Sequence, residues 1–303
     1  MTPTDSHSLT LNPALQRRAI FWLVFCTLLW GGSFLFTKIG LRDFPPITFM
    51  TLRFIGAALL MAAVCGRRLQ QLDRTVTTRG TLIGTALAAA NIMFVIGISG
   101  TTISRAGFLN NLFVLIIPLL SFLLWRKRLE IGTLLGVLLA TVGLAQLAEG
   151  GIEGFNHGDL FSTICALFIS VHILSVTKLM GDADVRLVTF IQFAAVALWG
   201  CIALLFTPAS TIHLSPLGLL SLAYCIIFPT VIAFTLQNTW QRFINPTQAG
   251  LLYTLDPVWS LLAGLFILHE DLSRREWLGC ALLFSAVLLP LLFRFNREKR
   301  STA

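Results

Sequence analysis

The chain has 303 residues, 56% hydrophobic and only 12% charged, with a mean hydropathy of +0.82 and a formal net charge of +8. A soluble domain carries roughly one quarter charged residues, so the composition excludes a water-soluble globular protein and requires lipid as the solvent. Crossing the ~30 Å hydrocarbon layer takes roughly 20 mostly apolar residues. Such stretches follow one another at about 20–41, 46–65, 79–98, 103–125, 131–148, 158–178, 186–207, 215–238, 246–268 and 276–294. The expected fold class is therefore all-α and integral to the membrane, with ten transmembrane helices and no soluble domain.

Between and around these segments the chain is short and polar. Residues 1–19 form a polar N-terminal tail in which Met1 to Gln16 precede Arg17-Arg18, with no small-residue cleavage site, so the first segment reads as a retained anchor. Residues 149–157 are a Gly-rich external linker, and 295–303 a basic C-terminal tail. The basic charge follows the positive-inside pattern. Counted from a cytoplasmic N-terminus, sixteen of the twenty-two Lys and Arg residues fall on the inner side, among them Arg67, Arg68, Arg74, Arg79, Arg126, Lys127, Arg128 and Arg242. Lys38, Arg42, Arg105, Arg274 and Arg275 fall on the outer side, and Arg53 lies within a segment. Both termini are thus expected to be cytoplasmic, in a cell (inner or plasma) membrane, and the charge orients the protein without implying nucleic acid.

The six cysteines lie in or beside the segments without Cys-x-x-Cys spacing, which supports packing roles and neither a disulfide framework nor a metal site. No cofactor is indicated. Short loops, the lack of a phosphate-binding Gly-x-x-x-x-Gly-Lys motif and the lack of His-Glu-x-x-His or Gly-x-Ser-x-Gly argue against a nucleotide-driven pump and a membrane-embedded enzyme.

The segments repeat in order. Thr37-Lys38 closes the first and Thr177-Lys178 the sixth; Arg53-Phe54 sits in the second and Gln192-Phe193 in the seventh. Ser104 to Leu109 opens the fourth as Pro246 to Leu252 opens the ninth, and each of those then carries a proline, Pro118 or Pro257. A copy of five segments is odd, so the second must enter the membrane from the opposite face. The expected organisation is two inverted five-helix repeats, 20–148 and 158–294.

These residues resemble those of the drug/metabolite transporter superfamily, EamA-like branch, over essentially the whole chain. The resemblance rests on Leu29-Trp30-Gly31-Gly32-Ser33-Phe34, Arg53-Phe54, Ala106-Gly107-Phe108-Leu109 through Pro118-Leu119-Leu120, Gly158-Asp159-Leu160, and Pro246-Thr247-Gln248-Ala249 through Asp256-Pro257-Val258 to Glu270 and Leu272-Ser273. It implies a ten-helix carrier of amino acids, metabolites or related compounds. Two departures stand out. The acidic residue before the proline is aspartate where the branch more often has glutamate, and His269-Glu270-Asp271-Leu272-Ser273 replaces the usual Gly-Glu-Arg-Leu-Ser.

An ionised group within the bilayer costs several kcal/mol, on the order of +2.5 to +3.5 by insertion scales, and so asks for a partner or an aqueous cavity. Asp256 lies ten residues past Pro246, about 15 Å deep by helical rise. Tyr253 and Trp259 stand three residues to either side of it, on one helical face, and Pro257 would leave the Tyr253 carbonyl without its usual donor. The competing reading is a structural carboxylate at a proline kink. Arg53, about 10 Å below the outer face, suits anion recognition or a structural brace. His172 suits a proton relay with Asp256 or a neutral bond between helices.

Asn91, Asn110, Asn111, Gln192, Gln237 and Asn238 supply amides, with helix-to-helix bonding as the default. Asn110 and Asn111 point to adjacent faces of a continuous helix, so at most one of them should reach a central cavity. Trp30, at mid-depth beside Gly31-Gly32, suits an aromatic cavity wall or simple packing. The candidate site is therefore Asp256, Tyr253, Trp30, Arg53, Asn110, His172, Gln192 and Trp259, serving a small-molecule substrate and, on the coupled reading, protons. The function expected is secondary transport of a small metabolite by alternating access. A membrane-embedded enzyme and a non-transporting scaffold or sensor are the rivals. Monomer and homodimer are both left open.

Overall fold

A computed structural model describes residues 13–126, 130–147, 154–208, 211–267 and 273–301. Lys127, Arg128, His269 to Leu272 with Glu270, most of the 149–157 linker and the outermost parts of both tails lie outside the described residues. Among those described there is no strand. The helices are α1 (Pro13–Gly40), α2 (Pro46–Cys65), α3 (Arg74–Gly100), α4 (Ile103–Asn110), α5 (Phe113–Trp125), α6 (Ile131–Leu147), α7 (His157–Leu179), α8 (Val185–Leu204), α9 (Pro216–Ile226), α10 (Ala233–Trp240), α11 (Pro246–Tyr253), α12 (Asp256–Ile267) and α13 (Arg274–Ser301). A π-helical stretch, Ile227–Ile232, joins α9 to α10.

The helix boundaries follow from local chemistry. Pro46, Pro216 and Pro246 open helices where a missing N–H costs nothing. Asp73, Thr102, Ser215 and Asn245 accept backbone N–H bonds as N-caps, and Asn156 with Asp159 forms a reciprocal capping box at the start of α7. The Asp73 cap is why α3 starts at Arg74, five residues before the predicted segment. Among the described residues, seven helical stretches, some running through the short turns between neighbouring helices, are long and apolar enough to cross a membrane: Ala14–Gly40, Pro46–Gln71, Arg74–Gly100, Arg105–Trp125, His157–Leu179, Val185–Leu204 and Pro216–Phe243. α6 is apolar but 17 residues long. Side chains such as Leu59, Leu123, Leu124 and Phe206 project outward, as lipid contact requires.

Two predicted segments are broken at mid-length. The fourth is α4, eight residues, an interruption at Asn111 and Leu112, then α5; the ninth is α11, also eight residues, an interruption at Thr254 and Leu255, then α12. This corrects two expectations. Pro257 does not kink a continuous helix but occupies its second position, where its fixed φ suits helix initiation. Asn110 and Asn111 are not on adjacent faces of one helix, because the helix ends between them.

The most extensive packing joins α3 to α7 and α8, α6 to α13, and α2 to α8. The two predicted copies therefore interleave. Lipid tails are as apolar as the helices, so small residues rather than hydrophobicity bring the backbones together. A Cβ on Gly158 would lie 2.5 Å from the carbonyl carbon of Gly100, so α7 and α3 touch backbone to backbone. One apolar core gathers Leu23, Phe113, Ile117, Leu144, Tyr253 and Leu283, and a second gathers Phe54, Met61, Leu87, Phe193 and Val196. Trp30 packs against both.

Polar contacts mark two ends. At one, Arg68 pairs with Asp184 at 3.0 Å and Arg79 with Asp182 at 3.3 Å, while Arg242 donates to the Gly181 carbonyl. At the other, Arg105 pairs with buried Asp159 at 2.8 Å, and Lys38 donates to the Ile98 carbonyl at 2.9 Å.

Candidate functional site

Between the two cores lies a cavity of about 130 Å³. Its wall includes Trp30, Arg53, Asn91, Asn110, Asn111, His172, Phe234, Gln237, Tyr253 and Asp256. Asn110, Asn111, Tyr253 and Asp256 on this wall flank the two interruptions, where the backbone stays right-handed but tightens, while Arg53, Asn91, His172 and Gln237 come from α2, α3, α7 and α10. Asn111 Nδ2 donates to the Gly107 carbonyl at 2.8 Å and to Asp256 Oδ1 at 3.1 Å, so one break holds the carboxylate of the other. Asn110 also lines the cavity, is almost fully buried, and neither of its amide atoms has a partner.

Gly31 sets how close α1 comes to this point. A Cβ there would stand 2.7 Å from the Asp256 carbonyl oxygen and 2.7 Å from Trp259 Cβ. The preceding residue, Trp30, packs edge-to-face on Tyr253 at 5.1 Å and against Phe234 at 5.5 Å. Its indole N–H donates to the Pro229 carbonyl at 3.0 Å. That carbonyl is free because Ala233 N–H reaches back to Phe228 in a π-type bond, bypassing Pro229. The same stretch anchors Arg53, whose Nε donates to Thr230 Oγ1 at 2.5 Å while Thr230 donates to the Cys225 carbonyl at 2.6 Å. Arg53 is 5% exposed and has no ion pair among the described residues.

A chain of amides closes one side. Gln241, absent from the sequence-derived candidates, is fully buried and donates through Nε2 to the Ile173 carbonyl at 2.7 Å and to Thr177 Oγ1 at 2.8 Å. Its Oε1 accepts from Gln237 Nε2 at 2.8 Å and from the Tyr253 hydroxyl at 2.9 Å. Three helical regions are thereby tied together: α7, the end of α10 and α11. The predicted eighth segment stopped at 238 and so left Gln241 in a loop; its i, i+4 spacing from Gln237 was the available signal.

Six of the eight predicted residues meet at this cavity: Trp30, Arg53, Asn110, His172, Tyr253 and Asp256. Two do not line it. Gln192 Oε1 accepts from Asn238 Nδ2 at 2.7 Å, joining α8 to α10, and Trp259 Nε1 donates to Thr27 Oγ1 at 2.8 Å, joining α12 to α1. Tyr253 and Asp256, on either side of the interruption at Thr254, both line the cavity, whereas Trp259, one turn further along α12, gives its indole N–H to α1 instead. Among the described residues no cluster of His, Cys, Asp and Glu could hold a metal ion, and all six cysteines are free.

A discontinuous helix pair around a cavity suits a protein that binds and releases a solute. The model of the EamA-like transporter family matches residues 17–148 and again 156–292. The chain belongs to the EamA-like transporter family. It is a multi-pass membrane transporter. Among curated relatives, an uncharacterized transporter of Archaeoglobus fulgidus is 28% identical over 267 residues, covering 88% of this chain and 83% of the relative. The uncharacterized inner membrane transporter YedA of Escherichia coli K12 is 26% identical, covering 88% of this chain and 89% of the relative. The uncharacterized transporter YetK of Bacillus subtilis is 25% identical over 86% of this chain and 83% of the relative. One crystal structure superposes with a TM-score of 0.77 at 22% identity, covering 93% of this chain and 99% of the other, which is a likeness of fold.

Proposed function

We propose that this transporter is a secondary carrier of a small metabolite, such as an amino acid or related compound, working by alternating access. Ten spans would form two inverted repeats, 20–148 and 158–294, joined by the 149–157 linker, with both termini cytoplasmic. The observation that carries the reading is the meeting of the two helix breaks, where Asn111 holds Asp256 against a cavity lined by both halves. A carboxylate within the bilayer is costly and is retained where it binds a solute or a proton. Asp256 then binds the coupling proton or the cationic group of the substrate, and Arg53 faces an anionic group.

Rocking of one set of helices against the other would open the cavity to each side in turn. The amide chain through Gln241 is the contact that must part on its side. The test begins with metabolite levels in cells that overexpress or lack the protein, followed by flux of the responding compound in proteoliposomes. Asp256→Asn, which keeps the shape and the Asn111 contact, is expected to insert normally and lose coupled flux. Flux with unchanged pH dependence in that variant would remove the proton role. Absence of any substrate-dependent flux in the wild type would favour a scaffold or sensor.

A further inference from the structure

The hydrogen-bond directions around the cavity are forced by their outermost contacts. The Ile173 carbonyl can only accept, so the Gln241 atom facing it at 2.7 Å is the amide nitrogen. Gln241 must then present its oxygen to Gln237, and Gln237 must answer with its own nitrogen. The Gln237 carbonyl is left buried and without a partner. The same reasoning fixes Asn111, whose nitrogen faces the Gly107 carbonyl and Asp256, leaving Oδ1 unpartnered. His172 is engaged within the protein, with Nδ1 at 3.4 Å from the Ile83 carbonyl and the ring against the Gln237 side chain.

The Gln237 and Asn111 carbonyls and the Asp256 carboxylate thus belong to one cavity wall. The donors on that wall are few. The Trp30 indole is spent on Pro229, the Tyr253 hydroxyl on Gln241, the Ser33 hydroxyl on the Trp30 carbonyl, and the Asn91 amide donates to the Leu87 carbonyl, which leaves chiefly the Asn110 amide and the Arg53 guanidinium anchored at Thr230. A buried acceptor without a donor is destabilising, and a ligand that supplies the donor recovers that loss.

Resting on the carrier reading, we infer that the substrate presents a primary ammonium, or an equally donor-rich amine, to Gln237 Oε1, Asn111 Oδ1 and Asp256. Gln241 is the positioning residue that turns the Gln237 carbonyl toward it. A primary ammonium has three donors, whereas a quaternary ammonium of the same charge has none, so the site selects for donors and not for charge alone. The aromatic ring group of Trp30, Phe234 and Tyr253 supplies the apolar side of the pocket.

The test compares three probes on the purified full-length protein in nanodiscs, read by thermal shift and tryptophan fluorescence: phenethylammonium, its N,N,N-trimethyl derivative, and phenylpropionate. Phenethylammonium is expected to bind at least about tenfold more tightly than the trimethyl compound, from the worth of a charged hydrogen bond. Gln237→Met should narrow that preference by about tenfold while leaving the trimethyl affinity unchanged, and Gln237→Glu, which keeps an acceptor, should retain it. Equal binding of the two cations, preference for phenylpropionate, or no binding of any probe to the wild type would each overturn the inference, even if the variants failed to fold. A protein with flux but no donor preference loses this inference alone; one with donor preference but no flux loses the carrier reading alone.

Discussion

The two broken helices share a frame and differ in chemistry. Each begins at a capped residue, Thr102 or Asn245, runs eight residues, stops for two and resumes. The first residue after the break is Phe113 in one and Asp256 in the other; the last before it is Asn110 in one and Tyr253 in the other. Both line the cavity, but Phe113 belongs to an apolar core while Asp256 is held by Asn111. Tyr253 is engaged by Gln241, while Asn110 has no partner. The same short interruption therefore occurs twice with different side chains: one carries the charge, the other carries the amide that steadies it.

That division can be broken most severely by moving the charge. Exchanging the pair, Asp256→Asn with Asn111→Asp, preserves an amide–carboxylate contact across the breaks. If a carboxylate anywhere in this part of the cavity suffices, proteoliposome flux recovers part of what Asp256→Asn alone loses. Flux as low as in the single variant would place the requirement on the second break itself.

Close packing sharpens the comparison next. Gly31→Ala inserts a methyl 2.7 Å from the Asp256 carbonyl oxygen, and overpacking of this kind costs about 1–3 kcal/mol, so a lower Tm and lower flux together are expected. Gln241→Leu removes a donor and an acceptor from the second break, leaving Tyr253 and Gln237 unpaired. The expected loss is again about 1–3 kcal/mol in thermal unfolding, and a variant as stable as wild type would show that the amide chain ties nothing together. Arg53→Lys keeps the charge but not the guanidinium fork at Thr230, so flux should fall while insertion is unaffected; wild-type kinetics would remove Arg53 from substrate binding. Arg79→Ala, which breaks an exposed pair with Asp182 far from either break, should leave both Tm and flux unchanged.

Much of this was legible in residue order. A segment of apolar residues long enough for the bilayer declares itself, because backbone groups in lipid must be paired within the helix. Costly polar residues also declare themselves, which is why Asp256, Arg53, His172, Asn110, Tyr253 and Trp30 could be picked out and all line one cavity. The same logic overreached at Gln192 and Trp259. Cost identifies a polar group that needs a partner without saying whether the partner is a ligand or another helix, and here it is Asn238 for one and Thr27 for the other.

What the sequence by itself determined is the solvent, the helical segments and the short list of polar residues that lipid would reject, since each follows from local hydrophobicity and helix rise. Only the tertiary structure decided where two of those helices stop, that Asn110 and Asn111 both reach the cavity, and that Gln241 sets the direction of its hydrogen bonds. Those outcomes depend on contacts between residues far apart in the chain, such as Asn111 with Asp256 and Gln241 with Ile173, and a contact of that kind leaves no period in the sequence to read.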